Sequence, residues 1–114
     1  METIYIIVTI FGLAALGGMY LLSLVLRGKQ TPKGLSMIHG LMAVIGLALL
    51  IYYVATNEAG PVESMIVLIM AAMGGLLLLY KDLTKARPPK WLAVAHGVVA
   101  VTGYILLLAF AFGR

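Results

Sequence analysis

Four long apolar runs dominate this chain and leave it few ways to fold. They cover residues 4–26, 35–55, 62–80 and 91–112. Each is close to the ~20 residues with which a helix crosses ~30 Å of hydrocarbon. Lipid offers the backbone no hydrogen-bond partners, which favours helices over open strands. Charged residues make up only 11% of the chain, against about 25% in soluble domains. The sequence therefore predicts an all-α integral membrane protein with four transmembrane helices in one membrane domain, residues 1–114.

The charges between the runs predict an orientation. Seven of the eight Lys and Arg residues lie in segments 27–33 and 81–90, whereas the break between them carries Glu58 and is followed by Glu63. By the positive-inside rule, the two basic loops are cytoplasmic, both termini are outside, and the protein is a multi-pass protein of the cell's inner (plasma) membrane. This clustering is typical of membrane topology, so the expected partner is the lipid bilayer and not nucleic acid. The start of the chain lacks the basic segment of a cleavable signal peptide.

The two halves of the chain resemble each other when one is shifted by 57 residues, half of the 114-residue length. The shift aligns Gly-Gly with Gly-Gly, Pro-Lys with Pro-Lys and His-Gly with His-Gly without a gap. These matches indicate two tandem repeats, 1–57 and 58–114, of two helices each. Both repeats then cross the membrane in the same sense, and a pseudo-twofold axis along the membrane normal relates them.

The only two histidines, His39 and His96, fall at equivalent places in the second and fourth runs. An ionisable side chain inside a membrane helix is costly and is by default a candidate functional site. Each histidine follows the interfacial Lys33 or Lys90 by six residues, or ~9 Å along a helix. The sequence therefore predicts that the two rings share one depth in the half of the bilayer nearer the basic loops.

Small side chains surround both histidines. On the second and fourth helices, small residues share the histidine face through i, i+4, i+7 spacing. On the first and third helices, they form glycine-rich stripes at about the same membrane depth as the residues next to the histidines. They are Ser36, Ala43, Gly46, Ala93, Ala100, Gly103, Gly17, Gly18, Gly74 and Gly75. A flat macrocycle held between two imidazoles needs such a wall.

These features predict that His39 and His96 bind the iron of one haem b through their Nε2 atoms inside the bundle. The backbone carbonyl groups of Leu35 and Leu92, one turn back, are the expected acceptors for the other ring N–H. The haem propionates would point to the basic loops, where the candidate partners are Lys33, Lys90, Arg27 and Arg87. The chain has no cysteine, which excludes thiolate sites and c-type attachment.

Other readings stay open. The glycine stripes are also typical of plain helix packing, which would suit a haem-free accessory or scaffolding subunit. The histidines could serve as proton-sensitive groups of a small transporter. A non-haem metal site lacks a third ligand at this depth, and Ser36, Thr102 and Tyr104 suit packing or hydrogen bonds to the backbone better than proton transfer. No acid–base pair indicates catalytic activity.

With these residues in place, the chain resembles small four-helix membrane b-type cytochromes: the diheme membrane cytochrome b family and bacterial superoxide-oxidase-like proteins. Those proteins use four histidines for two haems, whereas His39 and His96 allow at most one bis-histidine haem per chain. The resemblance implies one-electron exchange with a quinone, a small oxidant or another redox protein. The haem could lie within one chain or between chains of a homo-oligomer. The length also resembles that of small multidrug-resistance transporters, but the first span lacks their membrane-embedded glutamate.

Overall fold

The computed structural model describes residues 2–84 and 87–113, and this part of the chain forms four α-helices. They are α1 (Glu2–Leu26), α2 (Lys33–Thr56), α3 (Val62–Leu83) and α4 (Lys90–Phe112). All four are long and apolar enough to cross a membrane. The bundle measures 42 × 20 × 19 Å, and its long axis matches the ~40–45 Å of a bilayer with its headgroups. The predicted all-α fold is confirmed, and its four helices have the length and apolarity that membrane crossing requires.

Proline and glycine set the helix ends. α2, α3 and α4 each begin directly after a proline, whose missing N–H is one that a first helical turn leaves unused. α1 ends with Gly28 in the left-handed region at φ 69°. The Gly28 N–H donates to the carbonyl of Val25, and the Lys29 N–H donates to that of Leu24. This pair of bonds is the Schellman ending, which reverses the chain into the first basic loop.

The third helix is longer than its apolar run. The sequence predicted a loop over 81–90, but α3 continues through Leu83, so Lys81 and Asp82 belong to its last turn. Lysine is favoured at a helix C-terminus by the helix dipole, and the carboxylate of Asp82 finds donors on the neighbouring loop and helix. Residues 85 and 86 of the predicted loop lie outside the described residues.

Each helix packs against two neighbours. α1 and α3 both pack against α2 and α4, whereas among the described residues no Cα atoms of α1 and α3, or of α2 and α4, lie within 8 Å of each other. The four helices therefore stand at the corners of a square, with α1 diagonal to α3 and α2 diagonal to α4. Both histidine-bearing helices lie on one diagonal, so their inner faces meet across the bundle axis.

The largest fully buried side chains lie in one half of the bundle. The fully buried core, with Ile4, Ile7, Leu50 and Leu107, lies far from the basic connections 27–32 and 87–89. The half nearer those connections, here called the basic-loop end, holds the histidines and the small residues around them. Large apolar side chains from every helix cover the outer surface, a pattern consistent with helices that face lipid.

Candidate functional site

His39 is held by a hydrogen bond to the neighbouring helix. Its ring is partly buried, and Nδ1 lies 2.8 Å from the carbonyl oxygen of Ala14 on α1. A carbonyl oxygen can only accept, so Nδ1 carries the proton and donates it. In a neutral imidazole the lone pair is then on Nε2. Histidines that bind metals are commonly oriented in this way, through the ring nitrogen that does not bind the metal.

His96 is held in the same manner on the other half of the bundle. Its Nδ1 lies 2.8 Å from the carbonyl oxygen of Ala71 on α3. The expectation that the Leu35 and Leu92 carbonyl groups would accept these bonds is wrong. Each ring reaches across to the adjacent helix, because the glycines there leave its edge a clear approach.

The two rings face a narrow gap. Their centroids are 6.4 Å apart, and their planes are nearly perpendicular at 88°. Since a ring nitrogen lies about 1.1 Å from its centroid, nitrogens of the two rings approach no closer than about 4.2 Å, which is beyond the ~3.2 Å of a hydrogen bond. Two metal–imidazole bonds of about 2.0–2.1 Å add up to that same distance. The rings are thus too far apart for a direct hydrogen bond, and their separation matches that of two nitrogens that face one metal atom.

Both Nε2 atoms have some accessible surface. Neither forms a hydrogen bond to the described residues. Among those residues, no sealed side-chain nitrogen or oxygen lacks a partner. Because both rings are only partly buried, each Nε2 must therefore retain some accessible surface. The lone pairs assigned to His39 and His96 are free to bind.

One glycine on α1 and one on α3 give the rings their space. A Cβ added at Gly18 would lie 2.8 Å from Cε1 of His39, and one added at Gly75 would lie 2.9 Å from Cε1 of His96. Real Cβ atoms essentially never come closer than 3.0 Å to another heavy atom. Their neighbours differ: a Cβ at Gly17 would meet nothing within 4 Å, and one at Gly74 would make ordinary contact with His96 at 3.8 Å. Only one glycine of each pair is therefore needed for the ring to dock.

Both rings line a cavity of about 840 Å³ that all four helices wall. Proteins bind cofactors and small ligands in spaces of ~300–1,000 Å³. Predicted site residues found in its wall are Gly18, Ser36, Ala43, Gly75, Ala93 and Ala100. The wall also includes Met19 and Leu76, which are 64% and 61% exposed, so the cavity reaches the lipid-facing surface.

The cavity wall does not include four of the predicted glycines: Gly17, Gly74, Gly46 and Gly103. A Cβ at Gly46 would come within 3.1 Å of the Phe11 ring, and one at Gly103 within 2.8 Å of the Leu68 side chain. These glycines let α2 pack closely on α1, and α4 on α3. Neither Gly46 nor Gly103 lines the cavity, so both serve the close packing of helix against helix.

Two polar side chains of the fourth helix are tied to the backbone. The Thr102 hydroxyl donates to the carbonyl of Val98, four residues back in the same helix. The Tyr104 hydroxyl donates to the carbonyl of Val8 on α1. Both hydroxyls are thus hydrogen-bonded to the backbone, as the sequence suggested.

Sequence reasoning missed the buried carboxylate of Asp82. It accepts hydrogen bonds from Thr31 at 2.6 Å, from Ser36 at 2.8 Å and from the ammonium group of Lys33 at 2.9 Å. Ser36, predicted to line the haem site, and Lys33, predicted to meet a propionate, thus both bind Asp82. The signal was available, because Asp82 is the one acidic residue beside seven basic ones in segments 27–33 and 81–90.

This polar cluster exists on one side of the bundle only. The residues 57 positions from Asp82, Thr31 and Ser36 are Val25, Pro88 and Ala93, which cannot form it. Asp82 and Thr31 lie in the wall of the histidine cavity and also in the wall of a second pocket of about 390 Å³ at the basic-loop end. We call this second space the loop pocket. Lys29, Lys33, Arg87 and Lys90 line it, whereas Arg27 turns back to the Ser23 carbonyl.

The donors available near the rings limit what could bind. Within residues 2–84 and 87–113, no three His, Cys, Asp or Glu side chains come together as a metal site. Two imidazoles are therefore the protein's whole contribution to a metal between them. A metal with further ligands of its own, such as the iron of a porphyrin, fits this donor set better than a bare ion.

We found no match to this chain among protein-family models, among curated proteins or among solved structures. Its function is therefore inferred from its own residues and their geometry.

Proposed function

We propose that this chain is a membrane b-type cytochrome that carries one haem between His39 and His96. The observation that supports this most is the 6.4 Å between the ring centroids. Two imidazoles on opposite sides of one metal, each bonded at about 2.0 Å, would have centroids about 6 Å apart. The Nδ1–H groups donate hydrogen bonds to the carbonyl oxygens of Ala14 and Ala71, which leaves both Nε2 atoms free to bind the iron.

The helix arrangement supports a macrocycle in this gap. The ligands would come from α2 and α4, and the macrocycle would have α1 and α3 beside it, whose Cα atoms stay more than 8 Å apart among the described residues. α1 and α3 contribute small residues to the cavity wall, Ala14, Ala15, Gly18, Ala72 and Gly75, together with larger apolar side chains such as Leu22 and Leu79. The surrounding cavity of about 840 Å³ lies within the range that cofactors occupy.

A haem held by two imidazoles would supply one-electron transfer, since both axial positions are filled by protein. The chain's own residues would fix the ligand rings, exclude water with apolar helices and place the propionates toward the basic-loop end. Lys90 is the available partner there, whereas Arg27 is bound to Ser23, Lys33 to Asp82 and Arg87 to the Gly28 carbonyl. The expected electron partners are a quinone, a small oxidant or another redox protein, as in the small membrane b-type cytochromes that the chain resembles.

The finer architecture belongs to the same proposal. The bonds His39–Ala14 and His96–Ala71 both join residues 25 apart and are themselves 57 positions apart. This correspondence supports two parallel repeats, 1–57 and 58–114, around a pseudo-twofold axis along the membrane normal. The positive-inside rule supports an inner-membrane protein with both termini outside and cytoplasmic basic loops.

The first test is the absorbance of the protein purified from haem-replete cells. We expect a Soret band, and sharp split bands on reduction. His39→Ala and His96→Ala should each lose that spectrum. Added imidazole should restore it in both variants, because a free imidazole can fill the space left by the side chain. Thr102→Ala is the matched control, since it removes a cavity-wall group that hydrogen-bonds only its own helix, and it should keep the spectrum.

The alternatives predict different outcomes. A colourless protein would refute the cytochrome and favour the haem-free scaffold packed by its glycine faces. A colourless protein that also shows pH-dependent flux in vesicles would favour the transporter. Absorbance that persists unchanged in either histidine variant would refute axial ligation by that residue.

A further inference from the structure

We propose that the loop pocket binds the phosphate group of an anionic phospholipid. The pocket has a volume of about 390 Å³ and lies between the two basic connections at the end of the bundle. Four cationic side chains line it, Lys29, Lys33, Arg87 and Lys90, together with the carboxylate of Asp82. Basic pockets between membrane helices are sites where anionic lipid headgroups bind.

The charges in this pocket are not balanced by the protein. In the described part of the chain the ion pair found is that of Lys33 with Asp82, at 2.9 Å. Three of the four cations therefore lack a carboxylate partner. Even if the two propionates of the proposed haem paired with Lys90 and Lys29, the positive charge of Arg87 would remain. A phosphodiester, which carries one negative charge, would neutralise it.

Two of the cations are held in place. Arg87 donates from Nη1 to the carbonyl oxygen of Gly28 at 2.7 Å, which ties the two basic connections together and leaves its other guanidinium N–H groups available. The Asp82 carboxylate fixes Lys33 in the same way. A pre-organised guanidinium suits phosphate, because it can donate two parallel hydrogen bonds to it.

The pocket lies at the depth of lipid phosphates. α2 has 24 residues and α4 has 23, so each is about 35 Å long and exceeds the ~30 Å hydrocarbon core. Their first residues, Lys33 and Lys90, line the pocket. The terminal turns of these helices therefore extend into the headgroup layer, where a phospholipid is the phosphate-bearing molecule always present. This proposal does not require that haem is bound.

The test is to measure lipid binding to delipidated protein by native mass spectrometry, with phosphatidylglycerol and phosphatidylcholine added separately. We expect one phosphatidylglycerol to bind per chain, and phosphatidylcholine, whose headgroup has no net charge, to bind much more weakly. Arg87→Gln should weaken phosphatidylglycerol binding at least tenfold, the effect of losing a charge-assisted hydrogen bond. Arg27→Gln is the matched control: it removes the same charge from a basic connection but lies outside the pocket, and it should change binding little.

A second variant tests the pocket in case Arg87→Gln does not fold. Lys29→Gln, at an exposed loop position, should weaken binding about fivefold, the effect of one basic residue near an anionic membrane. Equal losses in Arg87→Gln and Arg27→Gln would refute a defined pocket and leave only a generally basic surface. Equal affinity for phosphatidylcholine would refute recognition of net charge. If inorganic phosphate displaced the lipid at equal concentration, the site would be one for free phosphate, and the lipid assignment would be wrong. These readouts need no haem absorbance, so this proposal and the cytochrome can fail separately.

Discussion

Gly18→Ala tests directly whether the histidine rings need the glycines beside them. The added Cβ would lie 2.8 Å from Cε1 of His39, and ordinary contacts begin near 3.4 Å. The ring would have to retreat by about 0.6 Å. Its Nδ1–H bond to the Ala14 carbonyl, 2.8 Å long in the native site, would then lengthen or bend. Both consequences follow from a single methyl group.

The size of the effect can be isolated with Gly17→Ala. Both substitutions add one methyl group to the same helix, so the gain of about 1 kcal/mol in helix propensity is common to both. Only Gly18→Ala meets the ring, because a Cβ at Gly17 has nothing within 4 Å. Overpacking costs about 1–3 kcal/mol. We therefore expect the Gly18→Ala protein to be less stable than the Gly17→Ala protein by that amount.

Two measurements on matched detergent samples check this. The first is the free energy of unfolding in an SDS titration, which does not depend on haem. The second is haem content and the rate of haem loss, where displacement of a ligand ring should weaken binding about 10–100-fold in Gly18→Ala. The pair Gly75→Ala and Gly74→Ala repeats the comparison around His96, with Cβ distances of 2.9 and 3.8 Å.

The reasoning fails if Gly18→Ala and Gly17→Ala unfold at the same SDS concentration. It would also fail if Gly17→Ala were the variant that lost haem, since that would mean α1 is rotated relative to the arrangement described. Equal stability combined with selective haem loss in Gly18→Ala would show that the ring can move freely, against the fixed orientation inferred from its hydrogen bond.

Three further substitutions test the packing and the polar contacts by the same unfolding assay. Leu50→Ala should cost about 2–5 kcal/mol, because Leu50 is fully buried, whereas Leu41→Ala on the lipid face should change stability by less than about 0.5 kcal/mol. Equal effects would contradict the assignment of inner and outer faces. Asp82→Ala should lower the free energy of unfolding by about 1–3 kcal/mol, because it leaves two buried hydroxyl groups without a hydrogen-bond acceptor. Asp82→Asn keeps an acceptor and should lower it less. Ser64→Ala removes a buried hydrogen bond to the Gly103 carbonyl and should cost about 0.6 kcal/mol, a typical value between membrane helices; no change would mean that this bond is not formed in the bilayer.

Much of the fold followed from the sequence. The lengths of the four apolar runs and the positions of the prolines predicted the spans to within a few residues. The end of α3 was missed, because a short polar segment at a membrane boundary reads equally well as loop or as final helical turn. Asp82 is in the helix because partners from α2 and the first connection surround it, and those partners are far away in sequence.

For the candidate site too, local sequence features predicted one part and helix packing decided the rest. The sequence determined that two histidines stand at equivalent places among small residues, since composition and spacing are local properties. It did not determine that their Nδ1 atoms bond to Ala14 and Ala71, that Gly18 and Gly75 are the glycines beside the rings, or that Ser36 turns to Asp82. These facts depend on how far each helix is rotated about its axis and which helix stands next to it. Small residues lie on several faces of every span, so only the packed bundle decides which of them meet a ring.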